Sequence, residues 1–247
     1  YFEWMWGMFH GDFGVSYAYS VPVMELVWGS LGLTVPLAMF AMAITVVVAL
    51  GLGVFAASRH NKPGDYVIMT ISQLGIAVPN FWFGILLILF FAVNLGWFPA
   101  GGTMTVGLDQ ELSTWEAFKD RLWYLTLPII SLSLLTVAGW TRFVRAKMLE
   151  TMRFDFIRTA RAKGLTEARV IFMHGFRNAL IPIVTILALG VSFIFGGAVI
   201  TETVFAYQGA GKLILDSIYG NDFNVAMCSF VITSFMVLFM NLIADIC

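Results

Sequence analysis

The chain has 247 residues, of which 60% are hydrophobic and only 12% are charged, and its formal net charge is -1. Soluble domains carry about 25% charged residues, so this composition excludes an ordinary soluble domain and indicates that lipid is the solvent. A nucleic-acid partner is not expected.

The first 30 residues contain no Lys or Arg and are rich in aromatic and turn-forming residues. A turn is predicted around Gly11 and Gly14, and a short helix is predicted to begin at Pro22. We assign residues 1–30 to a segment on the outer membrane surface. Nothing in this region resembles a signal peptide and the first residue is Tyr, so an upstream transmembrane helix is expected in the intact protein.

Charge-free apolar runs follow, and each reaches the roughly 20 residues that a helix needs to cross a hydrocarbon core. They lie at residues 31–57, 66–95, 122–140, 178–200 and 223–244. Strands of a membrane β-barrel would be about 10 residues long with alternating polarity, so the spans are predicted to be helical. The fold class is therefore all-α, a polytopic transmembrane helix bundle with five spans here and about six in the intact chain. Pro79 lies inside one run, and a kink or break is expected near Val78.

The cationic residues are distributed unevenly, since nine of the fourteen Lys and Arg residues lie between residues 142 and 177. Cytoplasmic loops of membrane proteins carry the excess of Lys and Arg, so this loop is predicted to face the cytoplasm. Alternation then puts residues 58–65 on the same side and residues 96–121 and 201–222 outside. The interiors of the predicted spans contain no charged residue, unlike those of most ion-coupled carriers.

The basic segment at residues 142–177 also shows helical periodicity. Leu149, Met152, Phe156 and Ala160 recur at helical spacing, and Gly164 is predicted to end this helix. From these residues alone two interpretations stay open. The segment is either a basic interfacial loop that contacts anionic lipid, or a docking surface for a cytoplasmic protein.

No motif for catalysis, metal binding or nucleotide binding is found. Residues 209–213 include Gly and Lys but lack the spacing and the Ser or Thr of a Walker A sequence. Residues 51–56 match the dinucleotide-binding pattern G-x-G-x-x-A, but they lie inside a predicted membrane span with no preceding strand, so a dinucleotide site is not expected there. The three His residues lie in three different loops. We therefore predict no catalytic residue, no metal site and no cofactor, and a transport cycle would take its energy from another chain.

Residues 155–165, continuing through residues 174–182, closely resemble the cytoplasmic coupling loop of dipeptide/oligopeptide (peptide/nickel) ABC transporter permeases. Further segments resemble the same family in the same order along the chain, namely residues 10–17, 80–84, 95–100 and 196–205. The resemblance covers nearly the whole chain. It implies the fold of an ABC importer type I permease, with a transmembrane permease domain at residues 31–247 and a coupling loop at residues 142–177.

The resemblance also implies partners and a location. The family pairs this subunit with a second homologous permease, two cytoplasmic ATPase subunits and an external solute-binding protein, in the plasma (inner) membrane of bacteria or archaea. The chain would then be a permease for di- or oligopeptides rather than an enzyme, with ATP hydrolysis in the partner subunits. The expected coupling residues are Arg158, Thr159, Ala160, Arg161, Ala162, Lys163, Gly164 and Leu165. Uncharged polar candidates for the substrate pathway are Gln73, Asn80 and Asn178.

Alternatives remain open at this point. Within the family, the cargo could be a nickel chelate, glutathione or a small glycoside. A stand-alone secondary carrier is disfavoured by the charge-free spans and by the docking loop. A membrane scaffold or intramembrane enzyme is disfavoured because no pair of catalytic side chains can be placed within one span.

Overall fold

The computed structural model describes residues 6–8, 10–105, 107 and 113–246, and within this part of the chain it contains helices and no strands. The all-α prediction is confirmed. In chain order the helices are α1 Val23–Ser58, α2 Pro63–Ala77, α3 Asn80–Leu87, α4 Thr114–Thr151, α5 Asp155–Ala162, α6 Glu167–Arg169, α7 Arg177–Val204, α8 Ala210–Tyr219 and α9 Phe223–Ile246. A π-helical segment, Ile88–Asn94, continues α3, and a second one, Val170–Phe176, joins α6 to α7.

The apolar helices match the predicted spans in number and order. Four continuous helical stretches are long and apolar enough to cross a membrane, and the bent pair formed by α2 and α3 brings the total to five. Helix α1 begins at Val23, directly after Pro22, so residues 23–30 of the predicted external segment belong to the first long helix. Residues 1–5 and 9 of that segment lie outside the described part of the chain.

The predicted break in the second span is present at Val78 and Pro79. Both residues adopt extended backbone conformations, with ψ of 123° and 134°, and the helices on either side meet at 100°. Proline lacks an N–H group and disfavours helical backbone in the residue before it, which accounts for the break at this point.

The centre of the bundle is the contact between α1 and α4. Leu37 and Ala41 of α1 pack in one buried cluster with Leu125 and Leu132 of α4. Further along both helices, a Cβ atom on Gly53 would lie only 2.6 Å from Cβ of Val144, so the absence of a side chain at Gly53 allows the two backbones to approach closely. Small residues permit this kind of helix contact inside membranes, where the hydrophobic effect adds little.

Contacts between distant parts of the chain define the two ends of the bundle. At the basic end, Asp65 of α2 pairs with Arg145 of α4, which places the loop at residues 58–65 beside the segment at residues 142–177, as predicted. At the opposite end, the Gly102 N–H donates to the Phe205 carbonyl (3.0 Å) and the Ser16 hydroxyl donates to the Asp222 carboxylate (2.5 Å). We call these the basic end and the outer end.

Candidate functional site

Helix α5, Asp155–Ala162, projects from the basic end and carries most of the predicted coupling residues. It begins after Phe154, whose backbone is extended, with Asp155 in its first turn and Arg161 in its last. These charges oppose the helix dipole and stabilise a helix of only two turns. Ile157 and Ala160 are buried against Val170 of the neighbouring π-helical segment. The buried pair fixes the orientation of α5 on the bundle.

The remaining surface of α5 is exposed to solvent. Arg158, Thr159, Ala162 and Lys163 are all exposed, and the rings of Phe154 and Phe156 lie side by side with their centroids 5.8 Å apart. The ion pair between Arg158 and Asp155 is itself exposed, so it contributes little to stability. This surface combines cations with two unburied aromatic rings, a combination typical of a protein-binding face.

Gly164 ends the coupling element in a left-handed conformation, with φ of +74°. Its N–H donates to the Arg161 carbonyl (2.9 Å), which closes the turn after α5. Arg161 then reaches across the turn and forms two hydrogen bonds with the Glu167 carboxylate, at 2.6 and 3.1 Å. The bonds to this carboxylate raise the pKa of Arg161. Arg161 therefore holds the turn together as well as adding charge, while Leu165 is half-buried against the Ile157 cluster.

A buried ion pair connects the basic ends of α2 and α4. The Arg145 guanidinium donates two bonds to the Asp65 carboxylate, at 2.5 and 2.7 Å, and Asp65 is 1% exposed. The Asn61 N–H donates to the same carboxylate, and His60 lies 3.4 Å from it. Because α4 leads directly into α5, this cluster joins the coupling element to the second span. Pairing between residues 80 positions apart gave no signal in the sequence.

The three predicted pathway residues lie in separate environments. Asn80 stands at the start of α3, where its side chain donates to the Thr201 hydroxyl (3.2 Å) and accepts from the Ser131 hydroxyl (3.1 Å). Gln73 is exposed on α2. Asn178 is exposed near the basic end, and its side chain donates to the His174 carbonyl (2.6 Å). The structure describes no contact among the three, and only Asn80 joins different helices.

Glu202 is the main site residue that sequence reasoning missed. Residues 201–222 are predicted to lie outside, but α7 continues to Val204 and Glu202 is fully buried. Its carboxylate accepts from the Thr34 hydroxyl (2.5 Å) and from the Lys212 N–H (3.0 Å). The predicted span ends at residue 200, so the assignment of Glu202 to an outer loop is wrong, because the helix continues past it and buries it. The sequence signal that could have indicated its burial is an acidic residue directly after an apolar run, without a cation close to it in the sequence.

Helix α8 begins directly on this carboxylate. The Ala210 N–H donates to the Thr34 hydroxyl (2.8 Å), and a Cβ atom on Gly209 would collide with both Glu202 and Thr34. A Cβ atom on Gly211 would lie 2.6 Å from Cα of Val199. The two glycines of the segment at residues 209–212 therefore allow α8 to start in close contact with α7, which explains a pattern that superficially suggested a phosphate loop.

Tyr207 completes this outer cluster. Its hydroxyl donates to the Leu33 carbonyl (3.2 Å) of α1. Burial, together with the nearby Glu202 charge, raises the pKa of Tyr207 to about 12, so the donor proton is retained at physiological pH. The residues that the structure describes include no group of three or more His, Cys, Asp or Glu side chains that could hold a metal ion.

A comparison with protein families matches residues 49–247 to the family described as binding-protein-dependent transport system inner membrane component. The chain belongs to this family. It is thus a multi-pass inner-membrane permease component of such a transport system.

Relatives of this permease match most or all of its length. It is 42% identical to the oligopeptide transport system permease protein AppB of Bacillus subtilis over 247 residues, which are 100% of this chain and 76% of the relative. It is 38% identical to the di/tripeptide transport system permease protein DppB of Pseudomonas aeruginosa over 86% of this chain and 67% of the relative. It is 33% identical to the dipeptide transport system permease protein DppB of Escherichia coli over 100% of this chain and 77% of the relative.

Two solved structures have the same fold as the permease. The first shows inward-facing conformations of the MetNI methionine ABC transporter, with a TM-score of 0.64 over 90% of this chain and 93% of that chain. The second is an amino acid ABC transporter crystallised with histidines, with a TM-score of 0.66 over 90% and 92%. Both are 18% identical to this chain, so they establish the fold of an ABC importer permease rather than a cargo.

Proposed function

We propose that this chain is the permease subunit of an ATP-driven importer that translocates di- or oligopeptides delivered by an external solute-binding protein. The observation that carries this proposal is the 42% identity to an oligopeptide permease over every residue of the chain. Further relatives, at 38% and 33% identity, are also permeases of peptide transport systems. These matches cover 86% to 100% of this chain and at least 67% of each relative, which supports a common class of cargo.

Helix α5 is the element that we propose docks on a cytoplasmic ATPase subunit. The surface offered to the ATPase consists of Phe154, Phe156, Arg158, Thr159, Ala162 and Lys163, which are all exposed. Ala160 is 4% exposed and packs inward, so its proposed role is to position the helix rather than to contact the partner. Gly164 and Arg161 set the turn that follows, and Leu165 packs behind it.

Transport requires that movement of α5 reach the outer end of the bundle. Helix α5 follows α4 after a three-residue turn and packs on the π-helical segment that leads into α7. Helix α7 carries Glu202, which binds α1 and α8 at the outer end. We propose that closure of the ATPase dimer moves α5 as a lever and that α4 and α7 transmit the movement as rigid elements. Hydrolysis of ATP takes place in two ATPase subunits, and a second homologous permease completes the pathway.

The three polar pathway candidates divide into two proposed roles. Asn80 holds the broken span against α4 and α7, so it positions the helices that enclose the pathway. Gln73 and Asn178 are exposed, and they are proposed to face the pathway at the interface with the second permease. Their uncharged side chains suit a cargo that varies in sequence, because peptides share only backbone hydrogen-bonding groups.

The proposal is tested with the full-length chain in its complex with the second permease, the ATPases and the binding protein, reconstituted in proteoliposomes. Uptake of labelled di- and pentapeptides is compared with uptake of a nickel chelate and of glutathione. We expect peptide uptake that requires ATP and the binding protein. Uptake of only the chelate or glutathione would contradict the peptide assignment, and uptake without ATP would revive the secondary carrier.

A pair of matched variants separates coupling from cargo. Phe156→Ala with Arg158→Glu alters the exposed face of α5, while Trp115→Ala with Lys119→Glu makes the same kinds of change at the outer end of α4. The first pair should lower peptide-stimulated ATP hydrolysis at least tenfold while the permease remains in the membrane. Equal activity of the two pairs would show that α5 is not the docking element.

A further inference from the structure

A groove opens between α1 and the segment that leads into α7, at the basic end of the bundle. Its volume is about 790 Å³, within the range of roughly 300–1,000 Å³ typical of small-molecule sites. The floor is apolar, and it is formed on one side by the last turns of α1 and on the other by the π-helical segment. The main apolar lining residues are Leu50, Val54, Phe55, Ile171, Phe172 and Phe176.

The π-helical segment determines the shape of this groove. In an α-helix with 3.6 residues per turn, Ile171 and Phe176 would be about 1.4 turns apart and would point in different directions. Hydrogen bonds between residues i and i+5 bring them close to one turn apart, so both line the groove together with Phe172. Gly51 faces them from α1, and a Cβ atom added there would meet nothing within 4 Å. The segment thus lets Ile171 line the groove beside Phe176, whereas a regular helix would direct these two side chains apart.

Cations without acidic partners stand at the mouth of the groove. Arg59 and Lys62 both line it and both are exposed, and within the described part of the chain neither forms an ion pair. The Arg59 guanidinium lies 5.0 Å from the centre of the Phe55 ring, which holds it over the apolar floor. The acid at the mouth, Glu167, is neutralised by Arg161 at 2.6 Å. The mouth therefore carries a net positive charge of two.

We propose that this groove binds one anionic phospholipid of the cytoplasmic leaflet. Its phosphate contacts Arg59 and Lys62, and one acyl chain lies along Val54, Gly51 and Phe172. The mouth lies where α1 ends and the basic loops begin, which is the depth of lipid headgroups on the side that the positive-inside rule assigns to the cytoplasm. Basic pockets between transmembrane helices on that side suit anionic headgroups, whereas a zwitterionic lipid would add its own cation and no net negative charge to the mouth. This inference does not depend on the identity of the cargo.

The test uses the intact transporter complex, purified in mild detergent and placed in nanodiscs of phosphatidylcholine with or without phosphatidylglycerol. Native mass spectrometry counts the phosphatidylglycerol molecules retained for each copy of this chain. Arg59→Gln with Lys62→Gln removes the cations at the mouth, and Gly51→Phe fills the floor without changing charge. Each change should lower retention of phosphatidylglycerol by roughly tenfold or more, since the site requires both headgroup charge and space for a chain.

Two controls match these variants. Arg142→Gln with Arg153→Gln removes two exposed cations from the same end of the bundle but outside the groove, and Gly29→Phe adds the same ring to an open position of α1. Both controls should retain phosphatidylglycerol as the native chain does. Equal retention in the groove variants and the controls would overturn the proposal. So would equal retention of phosphatidylcholine, or a groove that in the intact complex excludes lipid because a polypeptide covers it.

Discussion

The Thr34 hydroxyl donates a 2.5 Å hydrogen bond to the buried carboxylate of Glu202 and ties α1 to the outer end of α7. The same hydroxyl accepts from the Ala210 N–H, and the second carboxylate oxygen accepts from the Lys212 N–H. The positive end of the α8 dipole and its free N–H groups thus compensate a carboxylate that has no cationic partner in the described structure. Three helices at the outer end depend on this one acid.

Replacement of Glu202 by Ala should destabilise the permease strongly. The change leaves the Thr34 hydroxyl proton and the Lys212 N–H without their carboxylate acceptor, at a cost of about 3 kcal/mol in the free energy of unfolding. Glu202→Gln should cost less, because its amide oxygen still accepts one bond. Thermal unfolding of the purified complex measures both, with Glu150→Ala as the control at an exposed acid. A melting temperature for Glu202→Ala equal to that of the control would contradict the structural role.

The Asp65–Arg145 pair should behave as a single unit. Asp65→Asn leaves the half-buried Arg145 guanidinium without its counter-charge, and loss of one partner of a buried pair costs about 3–5 kcal/mol. The double variant Asp65→Asn with Arg145→Gln should be less destabilised than the sum of the single changes, because neither charge is then left alone. Thermal unfolding of all three variants gives the coupling energy. Strict additivity would show that the two side chains act independently.

Parts of this fold follow directly from the sequence. The apolar runs predict the spans, and Pro79 predicts the break at Val78 because a missing N–H and a steric clash act locally. The single helix predicted from the spacing of Leu149, Met152, Phe156 and Ala160 is wrong, because a turn interrupts it. Helix α4 ends at Thr151 and α5 begins at Asp155, so the turn between them resets the helical phase. Phe156 is therefore exposed and Ile157 takes the buried position.

The candidate site was harder to predict because its key contacts join distant parts of the chain. Asn80 is held by Ser131 and Thr201, which lie 51 and 121 positions further along. The hydrogen-bond donors that stabilise the Glu202 carboxylate inside the bundle come from α1 and α8. Hydropathy does not detect such distant partners, so it assigned Glu202 to a loop. The local sequence shows that a buried polar side chain requires hydrogen-bond partners, but only the packed structure shows which residues provide them.

The loop at residues 15–22 should detach from the outer end at low pH. Asp222 accepts from the Ser16 hydroxyl at 2.5 Å and from the Ala18 N–H at 3.1 Å. Burial opposes ionisation, but these bonds and that of the Val225 N–H prevail and lower the pKa of Asp222 below its usual value. Its stabilising contribution is therefore complete above the unfolded pKa of about 4 and is lost as the pH falls through the lower folded value.

Hydrogen exchange of residues 15–22 between pH 7 and pH 3 measures this detachment. Protection should fall at the acidic end in the native chain, and Asp222→Asn should show reduced protection already at pH 7. Asp12→Asn is a suitable control, since its carboxylate bonds only the exposed N–H of Gly14 among the described contacts. Protection that is independent of pH in the native chain, or equal in both variants, would contradict the assigned role of Asp222.

The left-handed turn at Gly164 gives the sharpest test of the coupling element. A Cβ atom there would meet nothing within 4 Å, so a substitution acts only through the backbone, whose φ is +74°. Val should cost about 1–2 kcal/mol in this conformation, whereas Asn adopts it more readily. Gly164→Val should then move α5 from its proposed docking position and lower peptide-stimulated ATP hydrolysis roughly tenfold, while Gly164→Asn keeps most of it.

Gly96→Val is the matched control, because Gly96 has φ of +64°, equally open surroundings and a place away from the basic end. If both Val variants reduced ATP hydrolysis equally, the loss would reflect general destabilisation, and the coupling role of the turn would be refuted.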